Sequence, residues 1–358
     1  FCLRKELIMY FNFYVPFVNS KKAIQKYIEL NKHMQKGKIV GVYMKIPLDV
    51  FPDDFIENAK LLRDNGIRVI LDLDYCVKID NKWICTYFDK FKTLIVEWIS
   101  LGFNEILLTD TMLAKFLMEQ YPQIKVHGSY KQNISTMKQV SNLSRELKNT
   151  VSISPSLRSS HNLKFLHHLQ SFIPDKIQLV VNSGCRNMCY RSVLHSRWYD
   201  AKTLENSLGY SAGRWTGFYS CFEEYRKEFW LNFIMSDLIY PWQLEDLYCY
   251  TGIKDFRLIP PKEEHLFNVD ETLNFILCYL YVFEDYEANK NLPFHCFNNY
   301  LINKIASTAI TLDEVRQCIP NLAFYLHDKG DCADNCIVHC NRCKEIADKL
   351  NQKYLMSR

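Results

Sequence analysis

The sequence predicts an α/β fold, a TIM-type (β/α)8 barrel with a cysteine-rich C-terminal extension. Three observations lead there. Short β-rich runs alternate with amphipathic helical segments along the first 260 residues. The strands are near-continuous apolar runs, as strands buried on both faces of a parallel sheet must be. And a chain of 358 residues accommodates one barrel of about 250 residues with an extension.

Taken in order, the strand candidates are Tyr10 to Phe17, Ile39 to Ile46, Ile67 to Asp74, Glu105 to Asp110, Ile124 to Tyr130, Thr150 to Ser156 and Ile177 to Asn182. Between them, Lys21 to Met34, Asp53 to Asn65, Phe88 to Leu101, Thr111 to Gln120 and Thr136 to Leu147 repeat apolar residues at three- and four-residue spacing, the period of an amphipathic helix. After a long excursion, Trp242 to Tyr250 reads as a helix with Gly252 as its stop signal, and Phe256 to Ile259 supplies the eighth strand. A doubly wound open sheet is the competing architecture, but the first strand lacks the glycine-rich turn of a dinucleotide fold. The barrel is therefore expected over 1–260, with a helical, cysteine-rich extension over 261–358 packing on the barrel mouth.

Composition narrows the class. The net charge is +4 and the lysines and arginines are dispersed, so no electrostatic footprint for nucleic acid stands out. No run reaches the roughly 18 apolar residues of a membrane span. The 14 cysteines, in a chain with core enough to need no disulfides and without a secretory signal, point to a reduced, cytoplasmic protein.

Polar residues end several strands: Asp72 and Asp74, Asp110, His127 and Ser129, Ser154 and Ser156, and Asn182. In a barrel these ends form the active face, and Asp72, Asp110, His127 and Asn182 are the candidates for orienting a substrate there. The seventh strand runs into Asn182-Ser183-Gly184-Cys185-Arg186-Asn187-Met188-Cys189, two cysteines one helical turn apart. Cys221 is the nearest third candidate. The tail holds the densest group, Cys332, Cys336, Cys340 and Cys343, four within twelve residues. Thiolates are soft ligands that suit iron–sulfur clusters or zinc. The seven cysteines predict one or two 4Fe-4S clusters, with a four-cysteine zinc knot in the tail as the alternative. Cys2, Cys76, Cys85, Cys249, Cys278, Cys296 and Cys318 sit singly and read as packing, with Cys76 near enough a strand end to reach the rim. The early triplet of radical S-adenosylmethionine enzymes is absent, since it would need cysteine at Ser192; Cys336, Cys340 and Cys343 have the spacing but lie in the tail.

The Asn-Ser-Gly-Cys-x-x-x-Cys segment after strand seven, Trp242 to Leu247 leading to Gly252-Ile253-Lys254-Asp255-Phe256-Arg257-Leu258, and the cysteine-rich end together resemble the collagenase-like peptidase family. That family includes proteins of oxygen-independent ubiquinone hydroxylation and of transfer and ribosomal RNA hydroxylation. The resemblance implies a TIM barrel holding a 4Fe-4S cluster on four cysteines, with Cys185 and Cys189 matching its first pair and Cys221 a later one. The fourth ligand has no clear match, and the tail run departs from the pattern. His195 follows the pair where relatives carry a polar residue, so substrate binding and a helix-surface position are both open to it.

The expected function is an iron–sulfur redox enzyme, an oxygen-independent hydroxylase or related modifying enzyme, acting on a small molecule, peptide or RNA with an electron donor as partner. Two alternatives stand beside it: a peptidase, for which no His-Glu-x-x-His or Gly-x-Ser-x-Gly motif is present, and a non-catalytic, cluster-bearing binding protein.

Overall fold

The computed structural model describes residues 10–45, 53–74, 93, 95–147, 149–183, 229–260, 269–293, 310–321, 326–327, 330–331 and 341–355. Its centre is an eight-stranded parallel sheet in the order β6-β5-β4-β3-β2-β1-β8-β7. The strands are β1 (Phe11–Pro16), β2 (Gly37–Lys45), β3 (Arg68–Asp72), β4 (Glu105–Leu108), β5 (Lys125–Gly128), β6 (Thr150–Ile153), β7 (Gln178–Val180) and β8 (Asp255–Arg257). A parallel bridge between Ile153 and Ile177 joins the two ends of that order and closes the barrel. The amide of Ile153 donates to Lys176 O at 2.7 Å across the same join. All eight expected strands are present, each within a few residues of its sequence bounds.

Helices follow the strands as expected at α1 (Lys21–His33), α2 (Asp53–Asp64), a helical stretch at 95–100, α3 (Thr111–Gln120) and α4 (Met137–Glu146), and a further helix that the sequence reading did not include, α5 (Leu163–Phe172), follows β6. The first part of the expected helix at 88–101 lies outside the described residues. After β7 come α6 (Phe229–Ile234), a 3-10 turn at Pro241–Gln243 and α7 (Leu244–Thr251), which stops at Gly252 in the left-handed conformation, φ 78°. Next is α8 (Val269–Glu284), which lies against the outer face of the barrel: Phe283 meets Phe11 and Phe13 edge-on, with ring centroids 5.3 and 5.0 Å apart. The Tyr279 hydroxyl donates to Ile239 O at 2.7 Å, and Glu284 accepts from the Lys36 amide at 3.1 Å. α8 thus takes the place of an eighth barrel helix. Short helices α9 (Tyr286–Asn289) and α10 (Leu312–Cys318), a two-stranded hairpin of β9 (Leu326–His327) and β10 (Gly330–Asp331), and α11 (Arg342–Leu355) complete the described chain. α11 packs against α6. Among the described residues no helix is long and apolar enough to cross a membrane.

Local chemistry explains the helix starts. Asp110 caps α3 by accepting from the amides of Met112 and Leu113 at 2.8 and 3.0 Å, and Thr136 with Gln139 forms a capping box on α4. The apolar stripe of α1, Ala23, Ile24, Tyr27 and Leu30, is buried against the sheet. Outward-facing strand residues such as Phe13, Val15, Val42, Leu71, Ile106, Val126, Leu179 and Phe256 form one continuous core with the helices. Alternate strand residues face the lumen, where Tyr14, Tyr43, Ile70 and Leu107 form a separate small apolar cluster. Polar side chains, among them Glu105, His127, Gln178 and Arg257, share the interior with it.

Candidate functional site

The lumen has two polar levels. At the level nearer the N-terminal ends of the strands, Glu105 on β4 is the hub. His127 Nε2 lies 3.0 Å from its Oε2, Arg68 Nη1 3.4 Å from Oε2, and Lys125 Nζ 3.9 Å from Oε1. Burial pushes the Glu105 carboxyl up, but His127, Arg68 and Lys125 outweigh it and hold it below the ordinary carboxylate range. Burial lowers the His127 pKa against the pull of Glu105, so at neutral pH the ring is neutral. Because an ionised Glu105 only accepts, Nε2 carries the proton and donates to it, and Nδ1 accepts from the Ser152 hydroxyl at 2.8 Å. A register shift between Val126 and His127 sets Ser152 opposite the histidine. Further along, Arg68 donates to the Tyr14 hydroxyl, Tyr14 to Asp255 at 3.4 Å and Asn12 to Asp255 at 3.1 Å.

Ser152, His127 and Glu105 stand in the order of nucleophile, base and orienting carboxylate. The geometry is not that of a working hydrolase. His127 is 0% exposed, the Tyr43 ring stands perpendicular to it with ring centroids 6.3 Å apart, and Ser152 is buried, so no substrate carbonyl reaches the hydroxyl. These three are a satisfied polar layer of the barrel interior.

The second level lies at the C-terminal mouth. Asp72 ends β3 and accepts from the Asp74 amide at 2.9 Å. Asp74 is buried and accepts hydrogen bonds from the hydroxyls of Thr109 and Ser129; Lys131 Nζ stands 3.7 Å from its Oδ2 and donates to its backbone carbonyl at 3.0 Å. Burial raises the Asp74 carboxyl to about 6, against the opposing pull of Lys131. Arg257 ends β8, is 4% exposed, and reaches toward Asp72, with Nη2 3.7 Å from Oδ2. Its guanidinium lies 3.8 Å from the centroid of the Tyr43 ring and 5.6 Å from that of Tyr130. Below it the Tyr43 hydroxyl donates to Gln178 Oε1, while Gln178 Nε2 has no hydrogen-bond partner among the described residues. Beside Arg257, Leu157, Val180 and Ile259 form an apolar wall with Tyr130 packed on it.

The four expected rim residues separate here. Asp72 is in the mouth cluster. His127 is in the lumen on the deeper level. Asp110 caps α3, and Asn182 clamps two strand exits together, donating to Ile259 O and accepting from the Ile259 amide, both at 2.8 Å. Ser156 donates to Asn133 Oδ1 at 2.8 Å. Cys185, Cys189, Cys221, Cys332, Cys336, Cys340 and His195 lie outside the described residues, as do Cys76 and Cys85. Cys343 is described: it is buried in the first turn of α11. Among the described residues no group of three or more His, Cys, Asp or Glu side chains gathers as a metal ion would need.

Sequence reasoning passed over Arg257, Lys131 and Tyr43. The signal for Arg257 was available, since a charged residue between Phe256 and Leu258 in a strand packed outward by its neighbours must face the lumen.

No family model matches the chain, and no curated protein matches it. Among solved structures it is similar to one described as the structure of the U32 peptidase Mk0906, at 12% identity and a TM-score of 0.47, covering 71% of this chain and 94% of that one. The barrel assignment rests on the strands and their pairing in this chain.

Proposed function

We propose that the chain is an iron–sulfur redox enzyme whose substrate binds at the C-terminal mouth of the barrel. Cys185, Cys189 and Cys221, together with the tail group Cys332, Cys336, Cys340 and Cys343, would hold one or two 4Fe-4S clusters. The observation that carries the reading is a meeting of two features at one end of the barrel. Ser183, 1% exposed, lies two residues before Cys185 at the exit of β7, and the same end holds the buried charges of Asp74 and Arg257 with the half-buried Asp72 and Lys131 beside them. The tail has a link to that end as well. α11, which carries Cys343, packs on α6, and the segment after α6 bonds to the β7 exit through the Ile239 amide and Val181 O at 2.8 Å.

The donor set fits the group: seven cysteines in two runs, soft thiolates of the kind that hold iron–sulfur centres. When bound, a cluster supplies one-electron transfer, or a Lewis-acidic iron where a coordination position is open. The described residues supply the rest. Asp74, with a carboxyl titrating near 6, can take or release a proton close to neutral pH, while Asp72 and Arg257 fix polar groups of a substrate. An electron donor and a reducing compartment such as the cytoplasm belong to this proposal.

Anaerobic reconstitution of the full chain with iron and sulfide is the test. The expected result is stoichiometric iron and acid-labile sulfide with a broad visible charge-transfer absorbance, both reduced in a Cys185→Ser, Cys189→Ser variant. Protein that takes up neither iron nor sulfide under these conditions and binds zinc stoichiometrically when zinc is offered instead would overturn the reading in favour of a zinc knot.

A further inference from the structure

Arg257 is a buried cation with donors to spare. Asp72, the nearest described carboxylate, is 3.7 Å away, longer than a hydrogen bond, and among the described residues neither Nε nor Nη1 has a hydrogen-bond partner. A guanidinium does not shed its charge on burial, and each buried donor left without an acceptor costs about 1–3 kcal/mol, more when charged. Such an arrangement calls for an acceptor-only group that is not part of the described chain. Tyr43 covers one face of the guanidinium, and the apolar wall of Leu157, Val180 and Ile259 adjoins it through Val180, its register partner on β7.

We infer that Arg257 is the receptor for the carboxylate of a small ligand whose body is apolar enough to lie against Leu157, Val180 and Ile259 in the barrel mouth. A monoanionic carboxylate fits better than a phosphate. Asp72 and Asp74 are close by, Lys131 is already engaged with Asp74, and a second negative charge would meet them with too little positive charge to balance it. The inference rests on the reading that the mouth binds substrate, and it names the substrate class; it does not depend on the cluster.

The experiment is calorimetric titration of the full chain, before and after anaerobic reconstitution, with benzoate, benzamide and inorganic phosphate, in wild type, Arg257→Lys and Arg257→Met. Benzoate binding is expected in both preparations, benzamide binding in neither. Loss of the charge-assisted bonds should weaken benzoate roughly tenfold or more in Arg257→Lys. Arg257→Met tests the charge itself, and Arg257→Lys keeps the question open to answer if the methionine variant does not fold. Absence of benzoate binding, equal binding in wild type and Arg257→Lys, or phosphate binding tighter than benzoate would each overturn the inference. Iron and sulfide content is read separately, so loss of the cluster reading leaves this result interpretable.

Discussion

Asp74 and His161 show how single buried groups set the pH response of the fold. Burial raises the Asp74 carboxyl from 3.8 to about 6, so between those values the folded chain holds a proton that the unfolded chain has lost. Its contribution to stability therefore falls as pH rises through that window. Asp74→Asn should gain stability relative to wild type as pH is raised from about 4 to about 6, read as the difference between urea midpoints. His161 has the opposite sign. Burial lowers it from 6.5 to about 4, so the unfolded chain binds the extra proton and stability is lost as pH falls through that window. His161→Gln should flatten that acid-side loss in the same measurement. Asn182 stands at a strand end, and its side-chain amide is engaged with the backbone of Ile259 in both directions. Asn182→Ala should destabilise the chain by about 1–3 kcal/mol, measured by urea unfolding, through the two lost hydrogen bonds.

The strands were legible in the sequence because parallel strands covered on both sides are apolar at nearly every position, and a run such as Arg68 to Asp72 has few other places to go. What a run of this kind conceals is which alternate residues face inward. His127 looked like a rim residue, but the register places it beside Leu107 and Ser152, deeper in the lumen. Helix α5 is absent from the sequence expectation although it buries Leu163, Phe165, Leu166 and Leu169 and leaves His167 and His168 exposed. Gly41 shows how closely the inner surface is fitted. A Cβ there would lie 2.9 Å from Cδ1 of the Tyr14 ring, so Gly41→Ala should displace that ring from Arg68 and Asp255 and lower the melting temperature, at about 1–3 kcal/mol. The cysteine segments carried the strongest sequence signal, yet apart from Cys343 they fall outside the described residues, so for them the sequence remains the informant.

At the scale of the whole molecule, the barrel is not finished by its eighth strand. α8 covers Phe11 and Phe13, which strand burial alone leaves open on one side, and it ties the chain through Tyr279 and Glu284 to segments near both ends of the barrel sequence. A chain ending at residue 260 should lose cooperative thermal unfolding and expose these aromatic rings to a hydrophobic dye, whereas the full chain should not. The closure itself has a consequence for motion. Seven neighbouring strand pairs are joined by ladders, but β6 and β7 meet at one bridge, Ile153 with Ile177. That join is a seam, and a single pair of backbone contacts can part without disturbing the other strands. In native-state hydrogen exchange the Ile153 amide should therefore lose its protection at lower denaturant than the amides inside the β1–β2 ladder. The barrel would breathe along one edge, between the end of β6 and the start of β7.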